Sequence, residues 1–534
     1  LTSSAAWFSA AYVGLRLRYA GREVLITGYT SPTQVSATVT EELPRTQRLV
    51  MTSSMGFSVG DVVEGLLSNS RGKVVTVVNS TTIEVVLIDS LAPFIGTHGV
   101  NVWETVLGPT GKASISDAAN VTTVDPAAFD EWDEQVFGPI WGYPSCVEIH
   151  RARLCFGGVT GIPGALIASK PDNLYDHNVG KGNDGDAIFE TIGNAGASGI
   201  VQMHSAEQLL VMTDNGAFYV PEASNNPFRP SGISFNPFGN PWAISTAPAR
   251  AYDGGVLMVS GSLVIKARPT GDTTRQWTAD EVSLLSAHML NDPVDLAVGS
   301  NFARGPEKYA FLVNSDGSMA VLQLIEAQET RNMVPWKTAG EYRSVACLGG
   351  DCYVCVRRVI DGSTVYLLEK FDPATSLDAT RVYADVSAVN GWQADWGATA
   401  VTIITADLRY ALAAPPLLLE DPPAGPYHVG IVPSPDFEIE TLPPVVDLNG
   451  VIYTGEPMRI LRCWVQARDS ARFTSMGTEL TAYLVTDHVD QPPNKRSGPQ
   501  VFESLGWKIE PTVRITRADP LPVRILGIKT EVAV

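Results

Sequence analysis

One pattern recurs five times between about residues 145 and 370: an apolar run, a tight turn and a second apolar run. The first copy joins 147–156 through Gly157, Gly158 and Gly161 to 165–168. The second joins 209–212 through Asp214-Asn215-Gly216 to 218–220, and the third joins 256–259 through Ser260-Gly261 to 263–265. The fourth joins 309–313 through Ser315-Asp316-Gly317 to 319–322, and the fifth joins 353–359 through Asp361-Gly362 to 365–368. Asp-Gly and Asn-Gly between apolar runs are strong hairpin signals, because glycine adopts positive φ without steric cost. Measured between Gly161, Gly216, Gly261, Gly317 and Gly362, the spacings are 55, 45, 56 and 45 residues. That is the spacing of β-propeller blades, each a small antiparallel sheet that cannot bury both faces alone. The alternative is a set of unrelated hairpins in a sandwich protein.

Composition agrees with a β-rich, turn-rich chain. Its 534 residues are 45% hydrophobic and 18% charged, with 47 Gly and 36 Pro. This is enough apolar material for several cores and too little charge for a disordered chain. The expected fold is mainly β, a β-propeller core with additional small β-barrel or β-sandwich domains. Residues 1–46 form a β segment leading into the core, and 47–125 a small inserted β module. Residues 126–415 form the propeller body and 416–534 a C-terminal β domain, opened by the Pro-rich text at 421–426. Within the inserted module, 74–78 and 83–88 around Asn79-Ser80-Thr81-Thr82 predict a hairpin. Short helices are predicted near 127–135 and 279–290, where Val282, Leu285 and Met289 repeat at helical spacing.

The formal charge is −19, from 38 Lys and Arg against 57 Asp and Glu. Tight phosphate binding needs Lys and Arg, so a groove-hugging nucleic-acid binder is disfavoured. No apolar window is long enough for a membrane helix. The opening Leu1-Thr2-Ser3-Ser4 has neither Met nor a basic segment, and it reads as a chain that begins mid-protein. Six cysteines (Cys146, Cys155, Cys347, Cys352, Cys355, Cys463) are too sparse for a disulfide scaffold and read as buried thiols made in a reducing cytoplasm.

No motif carries a catalytic, cofactor or metal assignment. Gly180-Lys181-Gly182-Asn183-Asp184-Gly185 has the letters of a dinucleotide fingerprint, but turn-like text precedes it and Asp186 follows it. It reads as a surface loop, with calcium binding by Asp184 and Asp186 as the weaker alternative. Cys352 and Cys355 lie three apart on a strand, hence on opposite faces, and cannot share a zinc ion. The seven histidines (His98, His150, His177, His204, His288, His428, His488) are scattered. His150, beside Arg151 and Arg153, reads as a polar-face residue. Asp130-Glu131-Trp132-Asp133-Glu134 reads as an acidic helix start. Ser315-Asp316-Gly317 lacks the spacing and the tryptophan of a sialidase Asp box. The segments 225–230 and 391–396 read as loops anchored by Pro and aromatic residues, with gates or fibre contacts as the alternative.

Several colinear pieces resemble the nozzle (tail tubular B-like) proteins of short-tailed bacteriophages. They are Glu131-Trp132-Asp133-Glu134-Gln135-Val136-Phe137, Trp141-Gly142-Tyr143-Pro144, the text at 148–158, Ile167-Ala168-Ser169-Lys170-Pro171-Asp172-Asn173, Asp186-Ala187-Ile188, and 210–220. Further pieces are 279–290, Asp316-Gly317-Ser318-Met319-Ala320, and 520–528. The resemblance implies a structural virion protein, a homohexameric nozzle subunit forming the distal DNA-ejection channel and its closure. Its implied partners are the head-to-tail adaptor, tail fibres or spikes, and genomic double-stranded DNA passing without sequence-specific binding. It implies assembly in the host cytoplasm, residence in the virion tail, and neither catalytic residues nor cofactors. The alternative is a tail-associated propeller enzyme or carbohydrate-binding module acting on host surface glycans. That reading requires carboxylates and aromatics clustered in one pocket.

Overall fold

The computed structural model describes the chain apart from residues 20, 54–55, 89–91, 97–103, 110, 126–127, 129, 131, 181, 194–198, 224–226, 273–275, 301–307, 326–329, 373–374, 406–407, 409, 414–424, 433–435, 440–444, 447–451, 454–456, 482–491, 504–505, 510, 518 and 534. The chain is mainly β, with a β-propeller core and additional small β domains. It divides into two compact units, Leu1–Pro237 and Phe238–Val534.

In the first unit, a four-stranded sheet orders Trp132–Glu134, Arg16–Tyr19, Arg22–Ser31 and Gln34–Val39. A seven-stranded sheet follows, built from segments between Thr46 and Val124 around a core that includes Leu49, Val63, Ile83, Val85, Phe94 and Ile115. The hairpin expected at 74–88 is there as Arg71–Asn79 against Thr82–Ile88. Two blade-like sheets come next. The first orders Cys146–His150, Arg153–Gly157, Ala165–Ala168 and Ile188–Thr191. The second orders Ile200–Ser205, Leu209–Thr213, Gly216–Val220 and Asn236–Phe238. One core joins them, drawing Cys155, Leu166 and Ile188 from the first and Ile200, Leu209, Val211 and Phe218 from the second.

The second unit continues the series. Its third sheet runs Arg250–Tyr252, Gly255–Ser260, Leu263–Pro269 and Trp277–Glu281. The fourth runs Pro293–Ser300, Lys308–Asn314, Met319–Ile325 and Thr330–Trp336. The fifth has three strands, Glu341–Leu348, Asp351–Ile360 and Ser363–Lys370. A sixth orders Asp378–Tyr383, Tyr427–Ile431, Val401–Thr405 and Tyr410–Ala413. Cores join the third sheet to the fourth through Leu257, Val259, Leu312 and Leu322, and the fourth to the fifth through Phe311, Val321, Val345 and Val354. The two inner strands of the second sheet, Leu209–Thr213 and Gly216–Val220, are buried along their whole length. The fifth sheet alternates instead, so its apolar residues with period two serve one covered face.

The C-terminal part of this unit packs two sheets face to face. One carries Val513–Thr516 and Phe473–Ser475. The other centres on the long strand Pro457–Ser470, with Arg496–Glu503 along one edge and Ile525–Ala533 along the other. Phe473, Leu480, Val513 and Ile515 face Ile460, Cys463, Val465 and Phe502 across the core.

Three local expectations need correction. The segment 147–156 is a hairpin, because Arg151 (φ 47°) and Ala152 (φ 59°) form a two-residue turn closed by the His150–Arg153 pair. Neither residue type signals positive φ, so the sequence hides the turn. Near 127–135 the described residues are extended: Trp132–Glu134 pairs with Arg16–Tyr19, while 126–127, 129 and 131 lie outside the described residues. The expected acidic helix start is therefore absent from 132–134. Near 279–290, Trp277–Glu281 is a strand, and only Leu284–Met289 turns, as a 3₁₀ helix. Edge pairing with Leu263–Pro269 outcompetes the weak helical period.

Candidate functional site

A buried polar cluster sits at one end of the first two sheets. His150 closes strand Cys146–His150, Ser205 closes strand Ile200–Ser205, and Glu222 lies just beyond Gly216–Val220. The His150 side chain is 1% exposed. Its Nδ1 stands 2.9 Å from Ser205 Oγ and its Nε2 2.5 Å from Glu222 Oε1. Arg151 Nε donates to Glu222 Oε2 at 2.9 Å, and Arg151 Nη2 donates to the Glu207 carbonyl at 2.9 Å. The Phe228 ring meets the imidazole edge to face at 5.1 Å between centroids.

With Nε2–H donating to Glu222, a neutral ring accepts the Ser205 hydroxyl proton at Nδ1, and a charged ring donates there instead. Burial alone would raise the Glu222 carboxyl. The hydrogen bonds and charges of His150 and Arg151 outweigh it and hold the carboxyl below its ordinary range. Serine, imidazole and carboxylate are the groups of a nucleophilic relay. In hydrolases the hydroxyl meets Nε2 and the carboxylate Nδ1. Here the two nitrogens are exchanged and Phe228 covers the ring, so the geometry serves to tie one sheet to the next. His150 is thus buried, contrary to the polar-face expectation, because both ring nitrogens find partners that offset desolvation. Ser205 and Glu222 carried no sequence signal, since the three residues are brought together only by sheet packing.

A second buried cluster centres on Arg358, also 1% exposed. Its guanidinium donates to Glu369 at 2.6 and 2.7 Å, to Asp378 at 2.7 and 3.1 Å, to Thr338 Oγ1 at 2.7 Å and to the Ala339 carbonyl at 2.8 Å. It ties the fifth sheet to the first strand of the sixth.

The motifs weighed in the sequence resolve as scaffold. Around Gly180, Gly182 and Gly185 no helix follows. The Asp186 carboxylate accepts from the Asn183 amide at 2.8 Å, and a side chain at Gly180 would collide with it. Buried Arg153 gathers the carbonyls of Ser169, Asp184 and Asp186 at 2.6–2.8 Å, and Arg229 pairs with Asp184 at 2.8 Å. The loop is therefore pinned, with its carboxylates occupied. Lys181 lies outside the described residues. Asp316 closes a local turn with Ser318 and Asn291, whose hydrogen bonds hold its carboxyl below the ordinary range. Asp130 pairs with Lys73 at 2.9 Å, and Glu134 accepts from Tyr12 at 3.1 Å. Trp392 and Trp396 are core residues, and Phe228 anchors the 225–230 segment, where 225–226 lie outside the described residues. His177 meets Phe137 edge-on and Phe156 at a tilt. His98 and His488 lie outside the described residues. All six cysteines are free thiols. Cys155, Cys352 and Cys463 are buried, and the other three are half-buried. Among the described residues no group of His, Cys, Asp and Glu is arranged to hold a metal ion.

Compared with known proteins, the chain matches no family model and no curated protein. Among solved structures it is similar to a protein from Lactobacillus plantarum at 11% identity and a TM-score of 0.28, covering 70% of this chain and 92% of that one. It is also similar to YCF48 from Cyanidioschyzon merolae at 12% identity and a TM-score of 0.26, covering 62% of this chain and 99% of that one. The expected membership of the phage tail nozzle family is corrected by these findings: no family model supports it, and neither of these two similar structures indicates a relation to a phage tail. Several of the pieces that suggested it are hairpin text: 148–158 and 210–220 each span a strand pair, and Asp316-Gly317-Ser318-Met319-Ala320 leads from an Asp-Gly turn into a strand. Any hairpin-rich β protein needs such pieces, whatever its ancestry.

Proposed function

We propose that this chain is a structural subunit that assembles with copies of itself through the open edge of its three-stranded sheet, without bond-making chemistry of its own. The observation that carries this reading is the outer strand Ser363–Lys370. Among the described residues no strand pairs with its outer side, whereas the third and fourth sheets each have a fourth strand there. Tyr366 (64% exposed) and Leu368 (78% exposed) line it, beside exposed Val359 on the neighbouring strand. An open edge offers main-chain donors and acceptors, and alternate apolar side chains add specificity when a second strand docks. The consumption of His150, Glu222, Arg153 and Arg358 in scaffold contacts also supports a non-enzymatic role.

Analytical ultracentrifugation and native mass spectrometry test this reading. The unaltered chain is expected to form a discrete oligomer. A doubly charged edge, Tyr366→Lys with Leu368→Lys, is expected to weaken association at least ~10-fold, about 1.4 kcal/mol. A chain that stays monomeric at every concentration defeats the proposal.

A second reading, passage of duplex DNA through a ring of such subunits, draws on the net charge of −19, which disfavours phosphate adhesion. Electron microscopy of the assembled oligomer tests it by the presence or absence of an axial channel.

A further inference from the structure

The C-terminal sheet carries a groove of 380 Å³ on its outer face, lined by Trp464, Gln466, Pro499, Gly527, Ile528 and Lys529. Its floor follows from strand register. Trp464 lies between Val501 and Lys529, and two residues along, Gln466 lies between Pro499 and Gly527. Residues two apart on a strand share a face, so these two rows form one continuous patch. Gly527 supplies the depression, for a Cβ built there meets no atom within 4 Å. Beside it the pairing with the central strand shifts register, Gln466 opposing Gly527 and Ala467 opposing Ile525, a bulge of the kind that re-aims side chains next to binding sites.

The chemistry of the patch is specific. Lys529 Nζ lies 5.4 Å from the Trp464 ring centroid. Among the described residues Lys529 has no carboxylate partner and the exposed Gln466 amide no hydrogen bond. On the central strand Arg462 pairs with Glu503 at 3.5 Å and Arg468 with Asp469 at 3.9 Å. The charge balance also changes here. Residues 457–534 hold eleven Lys and Arg against eight Asp and Glu, whereas the whole chain stands at −19. A half-buried indole, one free ammonium and one free amide around an open dip suit a ring with an apolar face, a single negative charge and hydroxyls at its edge.

The geometry points to a binding site for carboxylated sugar residues of a polysaccharide, with Trp464 as the stacking platform, Lys529 as the carboxylate partner and Gln466 as the hydroxyl partner. A nucleic-acid strand fits less well, because tracking a phosphate backbone takes several free cations in a row and this patch offers one.

The test uses the full chain on an array of neutral, uronic-acid-containing and sialic-acid-containing glycans, followed by titration of oligogalacturonate, oligosialate and oligothymidylate. Binding confined to carboxylated glycans is expected, and the two acidic probes identify which sugar acid the groove prefers. Gly527→Val fills the dip with a side chain that strands favour, at a position with space for it. It is expected to weaken binding at least ~10-fold, about 1.4 kcal/mol, with an unchanged thermal midpoint. Lys529→Gln is expected to abolish the preference for acidic over neutral glycans. Failure of every carboxylated glycan to bind, equal binding of neutral glycans, full binding by Gly527→Val, or tighter binding of oligothymidylate that Gly527→Val removes each overturns the assignment.

Discussion

His150 Nε2 and Glu222 Oε1 lie 2.5 Å apart, and this one contact links the first strand of one sheet to the segment leaving the third strand of the next. Both groups are buried, so removing either leaves the other without its charge-assisted partner. Glu222→Gln is expected to destabilise this pair of sheets by roughly 2–4 kcal/mol. Faster amide hydrogen exchange in 146–157 and 200–220 measures the loss.

The same carboxylate sets an acid-side limit. Its folded-state pKa lies below the ordinary value, so its contribution is fully present above the unfolded carboxyl range, about 4.3. That contribution is lost as pH falls through the lower folded value. Thermal midpoints taken downward from pH 5 should fall less steeply in Glu222→Gln than in the unaltered chain.

Arg358 supports two carboxylates at once, and Arg358→Met would strand Glu369 and Asp378 in a poorly solvated site. A loss of roughly 3–5 kcal/mol is expected. Neutralising the carboxylates as well, with Glu369→Gln and Asp378→Asn, should recover part of that loss, because the residual penalty belongs to unpaired charge rather than to missing packing. Denaturation followed by hydrogen exchange in 351–383 separates the two.

Ala152 holds φ 59° without the freedom of glycine. Ala152→Gly should relieve the strain and stabilise the hairpin by roughly 0.5–1 kcal/mol, the opposite of what glycine does elsewhere in a strand pair. Thermal unfolding compared with an Ala165→Gly control, placed in a regular strand, checks the sign.

Cys352 faces Cys347 directly across the two-residue Gly349-Gly350 turn, while Cys355 faces Ser344. Directly opposed strand positions fall within the reach of a disulfide. Mild oxidation by diamide should therefore join Cys347 to Cys352 and leave Cys355 free, as peptide mapping would report. A Cys352–Cys355 linkage would contradict the register.

Where the chemistry of a turn is written in residue type, the fold was legible. Asp214-Asn215-Gly216, Ser315-Asp316-Gly317 and Asp361-Gly362 each join the strands expected of them. Arg151 and Ala152 were not legible, since nothing in their side chains demands positive φ and only the surrounding contacts of Arg151 hold the turn. The Trp464 and Lys529 groove was equally silent: its rows come from three strands separated by dozens of residues.

By itself the amino-acid order determined a mainly β chain of repeated hairpins, because strand alternation and glycine turns are local properties carried by neighbouring residues. Tertiary structure alone decided that His150 would meet Ser205 and Glu222, that the fifth sheet would leave Ser363–Lys370 without an outer neighbour, and that Gly527 would open a dip beside Trp464. Those outcomes depend on which sheets stack and in what register, and such long-range pairings are set by the burial of whole faces rather than by any short stretch of sequence.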